Sequence, residues 1–144
     1  MDIQSILKDC AIDYVEAAAT AATSTLTSDV LDMAGWDGVC FIAITGDVTA
    51  SSVLTLTALG HTANAASGAA ITGAAATFTA GASDADSKLL VVDVVRPVKR
   101  YIYATLARAD QNAVVNGIIA IRYRGAKSPV TQGSTVIASA LAAA

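Results

Sequence analysis

The spacing of apolar residues changes character near Asp29. Before it, Ile3, Ile6, Leu7 and Cys10 recur at helical spacing, with Asp2 placed to cap the start. That predicts a short amphipathic helix or an arm. An Ala/Thr run from Ala17 to Thr27 follows, with weak signals of either kind. From Asp29 onward the pattern is strand-like. Residues 30–33 are a short apolar stretch, closed by Ala34 and Gly35, and Trp36-Asp37-Gly38 reads as a turn. The run VCFIAIT, residues 39–45, is continuously apolar between Gly38 and Gly46, as expected for a strand covered on both faces. Residues 52–59 alternate, with Leu54 and Leu56 opposite Thr55 and Thr57, which predicts a half-buried antiparallel strand. Residues 60–73 read as a small-residue loop, and residues 76–80 alternate around Phe78. KLLVVDVV, residues 88–95, is a second apolar run, ended by Arg96 and Pro97, since proline cannot donate to a ladder.

Two alternating segments complete the pattern. In residues 101–107, Tyr101, Tyr103 and Thr105 oppose Ile102, Ala104 and Leu106. In residues 117–124, Ile119, Ile121 and Tyr123 oppose Ile118, Ala120, Arg122 and Arg124. The small apolar tail, residues 136–144, is expected to fray at its end. Seven or eight short strands punctuated by Gly, Asp and Pro, with no βαβ alternation and no fixed repeat, predict an all-β antiparallel sandwich or barrel. The chain divides into an N-terminal arm or short helix with its lead-in, residues 1–27, and a β-sandwich domain, residues 28–144.

Composition supports this division. The chain has 144 residues, enough for one core. Its 32 alanines do not make it helical, because Glu16 is the sole glutamate and the abundant Thr and Val suit pleated strands. Small side chains let layers and subunits approach closely. No stretch reads as a membrane span, and the uncharged stretch 48–83 is too rich in Thr, Ser, Gly and Asn to be one. The N-terminus lacks a basic region followed by an apolar run, so the expected compartment is the cytoplasm where the chain is made, with Cys10 and Cys40 reduced.

Charge is segregated. Through Ser87 there are ten acids and one base; from Lys88 there are eight bases and two acids, so the halves carry −9 and +6 and sum to the net −3. Either the halves interleave and the charges mix, or Arg96, Lys99, Arg100, Arg122, Arg124 and Lys127 form a basic patch that meets an acidic partner surface such as a neighbouring copy. Net negative charge and the lack of a Gly-flanked aromatic motif beside the bases argue against nucleic acid.

Searches for chemistry return little. His61 has no neighbouring Cys and no metal-site spacing. Asp84 and Asp86 do not continue into a calcium loop, and phosphate-cradling glycine motifs are absent. No catalytic, cofactor or metal residue is assigned, and an enzyme is not expected. Trp36 is either a core plug at one end of the sandwich or an exposed anchor, and Tyr101, Tyr103 and Tyr123 share that ambiguity.

The segment RPVKRYIYATLARADQNAVVNGIIAIRYRGAKSPVT, residues 96–131, resembles the C-terminal half of the decoration, or cement, proteins of tailed bacteriophages. The shared pattern is Lys99-Arg100-Tyr101 heading a strand, a loop at Asn112-Ala113, an apolar strand, and a basic ending at Lys127 and Pro129. VLDMAGWDGVCFIAITG, residues 30–46, is similar to the same family's first core hairpin. The chain departs from the family in its Ala-rich loops and N-terminal run. The resemblance implies a jelly-roll-like β-sandwich on the outer capsid face, bridging capsomers as dimers or trimers, with the major capsid protein and copies of itself as partners. Its location would be the virion, after assembly in the host cytoplasm. Two alternatives stand beside it: a tail-tube or head-completion protein of the virion, and a carbohydrate-binding or adhesion sandwich built on an aromatic platform of Trp36 with Tyr101 or Tyr103.

Overall fold

The computed structural model describes residues 5–126 and 128–142. One short helix, α1 (Ile6–Asp9), runs directly into β1 (Cys10–Glu16). Then follow β2 (Ala19–Ala22), β3 (Leu26–Thr27), β4 (Leu31–Asp32), β5 (Gly38–Val48), β6 (Val53–His61), β7 (Ala69–Thr79), β8 (Leu89–Val95), β9 (Tyr101–Ala109) and β10 (Ala113–Tyr123). The expected cap Asp2 and the apolar Ile3 lie outside the described residues.

The strands form two antiparallel sheets. The first has the order β1-β10-β5-β8, with β2 also on β10; the second has the order β3-β9-β6-β7, with β4 also on β9. β1 and β2 follow one another along the same side of β10 and form one interrupted strand of the first sheet; β3 and β4 follow one another along β9 and form one interrupted strand of the second. Each pair counted once, there are eight strands in two four-stranded sheets, which is the jelly-roll arrangement. The ten strands exceed the expected eight because of these two interruptions.

Inward positions of the two sheets supply the core. Val39, Phe41, Leu54, Leu56, Ile102, Leu106, Val115 and Ile118 are fully buried. Between them sit Ala43, Ala58, Ala104, Ala113 and Ala120, also without exposure. These small residues fill positions where larger ones would hold the layers apart, so alanine serves close packing in strands.

Three elements differ from the sequence pattern. β1 is a strand where the apolar spacing suggests the end of a helix or arm. Its inward positions include Ala11 and Asp13 while Ile12 and Tyr14 point outward, and the register shifts between Tyr14 and Glu16, so no clean alternation marks it. β7 begins at Ala69, inside the expected small-residue loop, because Ala69 and Ala70 pair with Gly60 and Leu59 of β6. β5 is covered by its own chain on one face only: inward residues are buried, while Cys40, Ile42 and Ile44 stay partly exposed on the other face.

Candidate assembly surfaces

The outer faces of the two sheets differ in chemistry. On the second sheet, Thr55, Thr57, Thr77 and Thr105 face outward, and the hydroxyls of Thr55 and Thr77 lie 3.2 Å apart across β6 and β7. Tyr103 also points to this side but is buried, its hydroxyl accepting the Gly68 N–H at 2.9 Å from the loop that folds over it. This face is polar and solvated.

On the first sheet the outer face is apolar. Register places Tyr14, Ile119, Ile42 and Val91 in one row across β1, β10, β5 and β8. The next row holds Ile12, Ile121, Cys40 and Asp93, and Ile44 pairs with Leu89 at one margin. Leu89 is 60% exposed, Val91 49% and Val95 57%. Native monomers rarely leave such a contiguous row of branched aliphatics open.

Two tyrosines lie flat on this face over glycines. Gly38 pairs with Tyr123, and a Cβ at Gly38 would collide with the Tyr123 ring. Gly117, at φ +131, lies in the same way beneath Tyr14, whose hydroxyl donates to the Asn116 carbonyl at 2.9 Å. The Tyr123 hydroxyl donates to Asp93 Oδ1 at 2.7 Å, so this carboxylate on the face has its own donor. Burial, then the Asp93 hydrogen bond and charge, push the Tyr123 phenol far above its ordinary range. Burial also raises the thiols of Cys10 and Cys40, which favours their protonated, slower-reacting forms.

The basic candidates gather at one end of the sandwich. There the β4–β5 turn, the β8–β9 connection and the end of β10 meet around Trp36. Arg100 forms a bidentate pair with Asp32, both contacts 2.9 Å, and holds that carboxyl down to about 2. Arg122 donates to Asp13 at 3.1 Å and to the Asp32 carbonyl at 3.0 Å. Its guanidinium lies 4.9 Å from the Trp36 ring. Arg124 approaches Asp37 at 3.7 Å. Each of these pairs joins a base from the second half to an acid from the first, so at this end the charges interleave. Arg96 and Lys99 are exposed and form no ion pair among the described residues, and they keep a positive rim there. Lys127 lies outside the described residues.

Arg122 has inward parity on β10, like the fully buried Ile118 and Ala120. The apolar stripe Ile119, Ile121 and Tyr123 is the one that faces out. Trp36 packs against the core over Arg122, and with Tyr103 buried the two do not form an open aromatic platform.

One residue with a large structural role escapes the sequence pattern. Arg108 continues the inward series Ile102, Ala104 and Leu106 and is 3% exposed. It donates from Nε to the Ser24 carbonyl (2.8 Å), from Nη1 to the Thr20 and Ala113 carbonyls (2.8 and 2.7 Å), and from Nη2 to the Ser24 hydroxyl (2.8 Å). It thereby ties the lead-in to β9 and β10. A base at an inward position of an alternating strand is the signal that marks it. The remaining polar candidates close turns. His61 Nδ1 accepts the Ala63 N–H at 2.8 Å, Asp84 accepts the Gly81 N–H at 2.6 Å, and Asp86 accepts the Val48 N–H at 2.8 Å. Among the described residues no cluster of His, Cys, Asp or Glu is placed to hold a metal ion, and no helix is long and apolar enough to cross a membrane.

No protein-family model matches the chain, and no curated protein matches it. Among solved structures, the fold is similar to a chain from Bacillus endospore appendages, a family of disulfide-linked pili, at 15% identity and TM-score 0.44, over 86% of this chain and 96% of that one. It is also similar to a chain of the infectious bursal disease virus Gt strain, at 12% identity and TM-score 0.42, over 85% of this chain but only 32% of that one. Neither likeness carries a role over to this chain.

Proposed function

We propose that this protein is a structural component of a virion, a decoration (cement) protein that binds the outer capsid shell and stabilises it by bridging capsomers. One observation carries the reading. VCFIAIT and KLLVVDVV are largely apolar at outward positions as well as inward ones, with Asp93 the outward exception, yet the described residues cover only their inward side. The second cover comes from another molecule. The capsid enters as that molecule through the resemblance of residues 30–46 and 96–131 to the cement family.

Size decides how the face is used. Four strands about 4.8 Å apart and about 20 Å long present on the order of 300–400 Å². That is roughly half of the ~800 Å² per partner in a stable interface. The apolar face is therefore the centre of a contact, and the charged end with Arg96 and Lys99 is its rim. Complementary charge there steers approach and fixes register more than it adds affinity.

The mechanism is linkage. A protein that binds the expanded shell more tightly than the ruptured one stabilises the former by that difference. Many copies on one shell act together. Purified chain is expected to co-sediment with expanded shells of its cognate capsid protein and to raise their disruption temperature. Shells that neither bind it nor change in stability contradict the proposal.

A further inference from the structure

The two sheets are left open along one side. β7 and β8 are the last strands of their sheets, and neither pairs with a further strand. They are joined by the corner at residues 80–88 but not to each other, and between them runs a groove of about 320 Å³. Its walls are mainly apolar, including Leu54, Ala76, Phe78, Leu90 and Val91. Phe78 sits opposite the buried Leu54 and has inward parity, yet it is 44% exposed because nothing closes the seam.

The opposite side of the first sheet is closed. There the Ile12 and Tyr14 N–H groups donate to Gln132 Oε1 (2.9 Å) and Thr135 Oγ1 (3.1 Å), and the Val130 N–H donates to the Lys8 carbonyl (2.8 Å). Past this point the chain is an uncharged, mainly apolar segment, Val-Ile-Ala-Ser-Ala-Leu, residues 136–141. Ile137 is 97% exposed and Leu141 56%. The segment is in no strand.

We infer that residues 136–141 of one copy lie in the β7–β8 seam of the next copy as an added strand. Such a strand takes its backbone hydrogen bonds from either free edge and places alternate apolar side chains against Phe78 and Leu90. The same copy's tail does not serve. β1 and β8 stand three strand spacings apart, about 14 Å, and six residues reach about 20 Å, so the crossing leaves too few residues to pair. With tail and seam on opposite sides of the sandwich, the contact is head-to-tail and open to further copies. It requires no capsid and stands whether or not the capsid reading does.

The test uses the full chain alone, by sedimentation velocity over a range of concentrations. Wild type is expected to form concentration-dependent oligomers, and the variant Ile137→Asp with Leu141→Asp to remain monomeric with an unchanged melting temperature. A synthetic peptide of residues 134–144 is then expected to bind that variant one to one, and Phe78→Asp in it to weaken the peptide at least about tenfold. The inference is overturned if the tail variant associates as wild type does, if the peptide does not bind, or if wild type stays monomeric with Ile137 protected.

Discussion

Arg108 shows how one side chain decides local order. Its guanidinium is buried among carbonyl oxygens of Thr20, Ser24 and Ala113, with no carboxylate partner among the described residues, and those carbonyls have it as donor. Arg108→Met leaves them buried without a donor and is expected to destabilise the fold by about 3 kcal/mol. Arg108→Lys keeps the charge but not the planar fork and recovers only part of this. Urea denaturation of both variants measures it; a change within about 0.5 kcal/mol for the Met variant would show that the lead-in is held by something else. Tyr123 makes a pH prediction. Its phenol is raised in the folded state, so the neutral form is favoured there. The contribution is complete below the unfolded phenol value of about 10 and is lost as pH rises beyond it. Stability is expected to decline above pH 10 in wild type, and less steeply in Tyr123→Phe, as read from melting temperatures across that range.

At the scale of elements, the strands from β5 onward, apart from the first half of β7, are legible in the sequence because alternation or apolar runs mark them between turn residues. β1 is not, since its outward side is the more apolar one and Asp13 occupies an inward position to meet Arg122. The short strands β2, β3 and β4 are equally silent, being two to four residues long and drawn largely from an Ala/Thr run. The described basic candidates Arg96, Lys99, Arg100, Arg122 and Arg124 lie at one end, and the pairing of Arg122, Arg100 and Arg124 with Asp13, Asp32 and Asp37 depends on contacts distant in sequence. The apolar outer face was visible as continuous apolar runs; which side the chain itself covers was not. Ile42→Lys with Ile121→Lys is expected to abolish shell binding while costing about 1–2 kcal/mol of stability, since a lysine stem still covers part of the face. Thr57→Lys on the opposite, threonine-lined sheet is expected to leave binding unchanged. Co-sedimentation of the variants with shells distinguishes the two faces.

At the scale of the whole molecule, the sandwich is two-sided: one sheet turns threonines to water, the other turns branched aliphatics outward. In the function proposed above, attachment runs through the apolar side and the charged end orients it. Cys40 lies within that apolar side, partly exposed, while Cys10 is buried and serves as an internal control. The most direct measurement is the rate at which a maleimide labels Cys40 on free protein and on protein bound to shells. The account predicts slow labelling of the free chain, because burial raises the thiol, and a further drop of about tenfold or more on shells as the face is covered. Equal rates in the two states would mean that the apolar face remains open on the particle, and would contradict it.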